Sequence, residues 1–303
     1  MYKLCIIGSS DIIPKHIYAA QKNKFQIHSI TSLKYNSLNA KRIKKKYKIN
    51  KFYADWRKCI YESSQIKNIC FLVAPRIEDT VKVLNYIAKF NKPTFVEKPI
   101  TLKAKNFNKI KNKKNFIGYN RIFYKTVNYL KTQIKTKKLP KKVLVNVICS
   151  EKNRKTFVSN SCHIISILIY LFGKLNLKNK KANNRMISCD LENEKVHINL
   201  SVIFNTPSNF KIEIYSNKSY LNLMPIEVLR EYKTLKKIKK KNLNFYEPLI
   251  NKYIDDYDRD LKPGFYCQYK LFKKFCKNQN ISIHNSINFA KSVISLCERI
   301  TSK

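Results

Sequence analysis

An apolar run, Lys3–Ile7, stops at Gly8, and the next residues are Gly8-Ser9-Ser10-Asp11-Ile12-Ile13. A turn of this kind between a strand and a helix can cradle the pyrophosphate of a dinucleotide. The full fingerprint has one glycine for the tight turn, one where backbone meets phosphate and one where helix packs on strand. Only the first is present. Ser10 takes the second place, and Asp11 puts a negative charge near the phosphate position. About 20 residues on, where an acid would hold the 2′-hydroxyl of NAD, the chain has Thr31-Ser32-Leu33-Lys34. Ser32 and Lys34 suit a 2′-phosphate instead, a weak tilt toward NADP. The plain alternatives are an ordinary α/β turn and a surface lysine. His163 begins an apolar stretch, where the alternative to an acid–base role is a satisfied core histidine. The nine cysteines are scattered, odd in number and without a CxxC pair, so no metal site is expected. They are expected to be reduced and packed as small hydrophobes in a cytoplasmic protein.

These residues need strands and helices to hold them. Lys3–Ile7, Phe25–Thr31, Ile69–Val73, Thr94–Val96 and Asn115–Ile117 read as strands. Between them Ile12–Gln21, Asn39–Tyr47, a stretch from Pro75 to about Phe90, and Phe107–Lys111 read as helices. This alternation predicts a doubly wound parallel sheet, a Rossmann-type α/β domain over 1–120. Beyond it come a helix over Arg121–Ile134, a strand over Val143–Cys149 and a helix over Cys162–Phe172 closed by Gly173. Val196–Phe204, Phe210–Tyr215, Tyr220–Met224 and Ile226–Tyr232 then follow without helices between them. They predict an α+β domain with a mostly antiparallel open sheet, over 121–303. Tyr266–Cys276 and Ser286–Ile300 are its last helices.

A chain of 303 residues, 44% hydrophobic, can bury two ordinary cores. Its formal charge of +43 invites a polyanion partner. The 53 Lys against 9 Arg, with 33 Asn and 4 Gly, point elsewhere. A surface selected to grip phosphate would use the planar fork of arginine. Surplus Lys and Asn look like codon drift in an AT-rich genome, and no specific nucleic-acid partner is expected. The lysine runs Lys44–Lys46, Lys137–Lys142 and Lys236–Lys241 read as solvated helix surfaces or connections. The N-terminus lacks the pattern of a signal peptide, and the apolar run Ile164–Phe172 is far shorter than the ~20 residues that span a bilayer. No membrane association is expected.

The order of several short motifs is more specific than any one of them. Gly8 ends the first strand and His16 follows in the first helix. Ala74-Pro75 closes a strand, Glu97-Lys98-Pro99 follows the next, and Gly118-Tyr119-Asn120-Arg121 closes the last strand of that domain. Cys162-His163-Ile164-Ile165 opens the helix that ends Tyr170-Leu171-Phe172-Gly173. In this order the chain resembles the glucose–fructose oxidoreductase and inositol dehydrogenase family over nearly its whole length. The resemblance implies NAD or NADP on the first domain and a second domain whose open sheet covers a sugar substrate and joins homo-oligomers. It implies a cofactor site of Gly8, Ser9, Ser10, Asp11, Ile12, Ser32, Lys34, Ala74, Pro75, Glu97 and Lys98. Glu97 would lie near the nicotinamide ribose, and Pro99 would shape a turn that is often cis in the family. Asn120, Arg121 and Ser159 would be on the substrate side. Lys98 and His163 would be catalytic, facing each other across the domain cleft.

Such a pair suits the chemistry. Oxidising a sugar hydroxyl needs a base for its proton while hydride leaves the carbon, and histidine titrates in the right range. A desolvated lysine can hydrogen-bond the developing alkoxide. The chain also departs from the family. Ser159 and Ser166 stand where many members carry Asp, and Asp79 stands where His is frequent. Active branches acting on nucleotide sugars often lack the first of these acids. The expected function is NAD(P)-dependent oxidation or reduction of a sugar or nucleotide sugar, with a place in surface polysaccharide synthesis. The alternatives are a catalytically degenerate member with a binding or regulatory role, and a lysine-rich polyanion-binding protein.

Overall fold

Apolar runs too short for helices form the first sheet. Its strands are β1 (Lys3–Ile7), β2 (Gln26–Thr31), β3 (Lys51–Phe52), β4 (Ile69–Val73), β5 (Thr94–Glu97) and β6 (Asn115–Gly118). They lie in the order β3-β2-β1-β4-β5-β6, every pairing parallel. Every residue of β4 is buried, as expected of a strand covered on both faces. The chain reverses its direction of travel across the sheet between β1 and β4, the position where open sheets of this kind bind ligands. The intervening helices are α1 (Ile13–Lys22), α2 (Leu38–Lys46), α3 (Trp56–Ser64) and α4 (Ile77–Ile87). Pro14 sits in the first turn of α1, where its missing N–H leaves no bond unmade. Ser37 and Asp55 cap α2 and α3 by accepting from the N–H groups of Ala40 and Lys58. The helix expected over Phe107–Lys111 is a 3₁₀ segment, Ala104–Lys109.

This computed structural model describes residues 1–136, 143–241, 243–257, 261–279 and 283–302. They divide into two units, Met1–Asn120 with Arg259–Ser295, and Arg121–Asp258 with Leu296–Lys303.

The second unit holds α5 (Lys125–Lys135), β7 (Val143–Glu151), one turn α6 (Arg154–Thr156) and α7 (Cys162–Phe172). After these come β8 (Asn176–Ala182), β9 (Met186–Asn193), β10 (Val196–Phe204), β11 (Lys211–Tyr215), β12 (Tyr220–Leu223), β13 (Val228–Lys240) and β14 (Leu243–Asp255). The sheet order is β14-β13-β12-β11-β7-β10-β9-β8. Only β7 with β10 is parallel; the other pairings are antiparallel. Along β7 the residues Val143, Val145, Val147, Cys149 and Glu151 are buried while their neighbours are not, so one face looks inward. Gly173 ends α7 at φ +86°, as its position after the apolar run predicts. The helical stretch Arg154–Phe172 is 19 residues long and apolar enough by composition to cross a membrane, but most of it is buried within the protein, as in a core helix. Lys236–Lys240 belongs to β13 rather than to a connection, because that strand runs well past the expected Tyr232. Lys137–Lys142 lies outside the described residues.

The last helices are α8 (Phe265–Cys276) and α9 (Ile287–Thr301). Phe265, Tyr269 and Phe272 of α8 lie in the core of the first unit, with Phe25, Phe95 and Phe116. Tyr269 stacks on Phe95 at 5.1 Å, and Phe272 on Phe25 at 5.8 Å. Burying each such ring contributes about 1.5–3 kcal/mol. The expected 121–303 domain therefore loses Arg259–Ser295 to the first unit. An aromatic stripe at helical spacing announces a buried face, but not the core that receives it.

None of the nine cysteines is in a disulfide; eight are buried and Cys267 is exposed. The reactive species is the accessible thiolate. Native protein should therefore release one equivalent of chromophore quickly from an aromatic disulfide reagent, and nine in denaturant. Several fast equivalents in native buffer would mean that the cores are open.

Candidate active site

Three segments are laced together at the carboxyl ends of the first sheet. Gly8 N donates to Thr31 O at 2.9 Å, and Ala74 N donates to Ile7 O at 2.9 Å. Ser9 Oγ donates to Ser32 Oγ at 3.3 Å. Gly8, Ser9, Ser32, Ala74 and Pro75 are thus neighbours. Gly8 has φ +136°, and a Cβ there would lie 2.3 Å from the Ala74 carbonyl oxygen. The first glycine is required by this backbone approach. Ser10 and Asp11 are exposed just before α1, and Ile13 N donates to Ser10 O at 3.0 Å. The positive end of the α1 dipole favours an anion here. Asp11 already supplies one, in competition with a phosphate. Lys34 is exposed on the loop beyond Ser32.

Glu97 ends β5, opposite Gly118 of β6, and the Lys98–Pro99 peptide is cis. Lys98 is half-buried, and its N–H donates to Glu97 Oε2 at 3.2 Å. Asn120 is buried, with Nδ2 donating to Pro263 O at 3.0 Å. A cavity of about 630 Å³ lies beside β3, lined by Lys44, Phe52, Tyr53, Asp55, Lys58 and Glu62 among others. None of the expected site residues lines it.

In the second unit Arg121 places its guanidinium 5.0 Å from the Phe210 ring. Its Nε and Nη1 are buried with no acceptor among the described residues. Ser159 lies in a π-helical turn, Phe157–Ser161, that leads into α7, a form frequent at functional sites. Its Oγ donates to Thr156 O at 3.3 Å. His163 is buried in the first turn of α7. Ser166 Oγ donates to the His163 carbonyl at 2.6 Å rather than meeting the ring as an acid would.

One acid was missed by the sequence reasoning. Glu151 is 7% exposed and accepts from Asn160 Nδ2 at 3.1 Å and from Ser161 Oγ. It thus braces the turn that precedes His163. The signal was available: Glu151 falls on the apolar phase of the alternating strand that begins at Val143.

No protein-family model and no curated protein matches the sequence. Solved structures do match. Levoglucosan dehydrogenase in complex with NADH and levoglucosan aligns with TM-score 0.74 at 12% identity, over 99% of this chain and 95% of that one. Apo scyllo-inositol dehydrogenase from Lactobacillus casei aligns with TM-score 0.72 at 15% identity, over 99% and 95%. An oxidoreductase from Thermotoga maritima aligns with TM-score 0.79 at 13% identity, over 99% and 95%. At such identities the likeness is one of fold. The fold implied by the motif order, a Rossmann-type sheet followed by a mostly antiparallel one, is the fold found.

Proposed function

We propose that the chain is an NAD(P)-dependent oxidoreductase that acts on a hydroxyl or carbonyl of a sugar or nucleotide sugar. The observation that carries this reading is the lacing of Gly8, Ser9, Ser32 and Ala74 at the switch point of the first sheet. The fold likeness to dehydrogenases over nearly the whole chain supports it. These residues fit a dinucleotide through their backbone, with the Ser10 and Asp11 side chains as the two departures. Gly8–Ile12, Ala74 and Pro75 would hold the pyrophosphate side, and Ser32 and Lys34 the ribose, with a weak preference for a 2′-phosphate. Glu97 would meet the nicotinamide ribose. Bound nicotinamide supplies the hydride exchange. Lys98 would donate to the substrate oxygen, and His163 would hold the proton that oxygen gains or loses.

Asn120, Arg121 and Ser159 complete the substrate side of this reading. Two buried guanidinium donors without an acceptor among the described residues suit phosphate oxygens, which a nucleotide sugar carries and a free polyol does not. A role in surface polysaccharide synthesis and a cytoplasmic place belong to the same proposal. So does a homo-oligomer through the second sheet, whose edge strand β14 exposes Leu243, Phe245, Tyr246, Leu249 and Ile250.

Titration with NADH and NADPH, followed by nicotinamide fluorescence, is expected to show saturable binding of at least one. Binding of neither removes the oxidoreductase reading. The charge makes a separate prediction. DNA or RNA should bind weakly, without sequence preference, and dissociate as salt approaches physiological strength. Tight, sequence-selective binding at that strength would bring the polyanion reading forward.

A further inference from the structure

His16 on α1 has no exposed surface, yet both its ring nitrogens meet polar atoms. Nδ1 lies 3.0 Å from the Tyr269 hydroxyl on α8. Nε2 lies 3.0 Å from Glu97 Oε1 at the end of β5, a contact that is short but not aligned as a hydrogen bond. Aromatic rings enclose the imidazole, Phe95 edge-on at 5.3 Å and Phe265 tilted at 4.9 Å. Burial first, then the nearby Cys70 and Glu97, pushes the Tyr269 phenol well above its ordinary range. The hydroxyl therefore keeps its proton and can donate to Nδ1. The imidazole then carries its hydrogen on Nε2, the nitrogen nearer Glu97.

The same carboxylate accepts the Lys98 N–H through its other oxygen. Space for it depends on Gly118, where a Cβ would stand 3.2 Å from Glu97 Oε1 and 2.7 Å from the Phe95 ring. Four elements of one unit, α1, α8, β5 and β6, therefore converge on one acid beside Lys98. A network in which each polar group orients the next fixes geometry more firmly than packing alone.

We propose that His16 and Tyr269 are positioning residues that hold the Glu97 carboxylate, and with it the Lys98 turn, for the nicotinamide end of a bound dinucleotide. This rests on the dinucleotide reading above. The competing account is that the cluster only fills the core. His16→Leu fills the space without a polar group, His16→Gln keeps an amide that can donate to Glu97, and Tyr269→Phe removes one oxygen from a stacked ring. Thermal melting identifies the folded variants, and nicotinamide fluorescence gives their NADH and NADPH affinities.

His16→Leu and Tyr269→Phe are expected to weaken binding about tenfold, the scale of one lost polar contact. His16→Gln is expected to recover most of the His16→Leu loss, although leucine suits the apolar surroundings better. Equal affinities in wild type, His16→Leu and His16→Gln would overturn the proposal and leave the dinucleotide reading intact. If His16→Leu does not fold, Tyr269→Phe decides, and wild-type affinity there overturns the proposal. Wild-type protein that binds neither nucleotide overturns both readings, and does so before any variant is compared.

Discussion

Alanine at Lys98 or at His163 is expected to lower turnover by about 10²–10⁴ while dinucleotide affinity stays near wild type. Both side chains act, on the proposed reading, only on the substrate oxygen and its proton. Their loss should therefore appear mainly in kcat. The two positions differ in what else they disturb. Lys98 is half-buried on a turn, so its removal should leave melting nearly unchanged. His163 is 5% exposed on an otherwise apolar helix, and its truncation leaves a cavity. His163→Gln, which keeps most of the volume, separates lost chemistry from lost packing. Steady-state kinetics on a panel of sugars and nucleotide sugars, with melting measured beside it, provides the check. Full turnover in Lys98→Ala and His163→Gln would remove both assignments, and a binding or regulatory role would then lead.

Gly8→Ala is expected to be the most damaging single methyl group in the first unit. Its φ of +136° is one that side chains rarely adopt, and the added carbon would lie 2.3 Å from the Ala74 carbonyl oxygen. That oxygen cannot retreat easily, because Ala74 N is bonded to Ile7 O in the same ladder. Backbone strain and the displaced strand together should cost about 3 kcal/mol or more. A lowered urea midpoint and lost NADH binding should appear together. A variant with the wild-type midpoint would mean that β1 and β4 do not approach as described.

The parallel sheet was readable from the chain because strands buried on both faces leave continuous apolar runs, as in Ile69–Val73. Of the missed strands, β9 carries an apolar alternation at Ile187, Cys189 and Leu191 that could have been read, whereas β3, β8 and β14 lack any such signal for physical reasons. β3 has two residues. β8 reads Asn-Leu-Lys-Asn-Lys-Lys-Ala, and most of it is exposed. β14 is exposed along nearly its whole length, so no alternation marks it, and Pro248 argues against an interior strand; it lies at the sheet edge. Of the candidate site, the turn at Gly8 and its partners Ser32 and Ala74 could be named from motif order. The contact of His16 with Tyr269 could not, since 253 residues separate them and only the return of the chain joins them. Glu151 could have been found by following the phase of its strand.

That return has a consequence for the order in which the protein is made. Residues 1–120 leave the ribosome long before Phe265, Tyr269 and Phe272, which complete their core. Until α8 emerges, Phe25, Phe95 and Phe116 lack the cover that Phe265, Tyr269 and Phe272 give them. Closing that core joins residues more than 140 positions apart, such as Phe116 and Phe272 at 5.6 Å, and contacts this distant in sequence form slowly. The nascent first unit therefore keeps apolar surface open throughout synthesis of the second, which is the condition that favours aggregation.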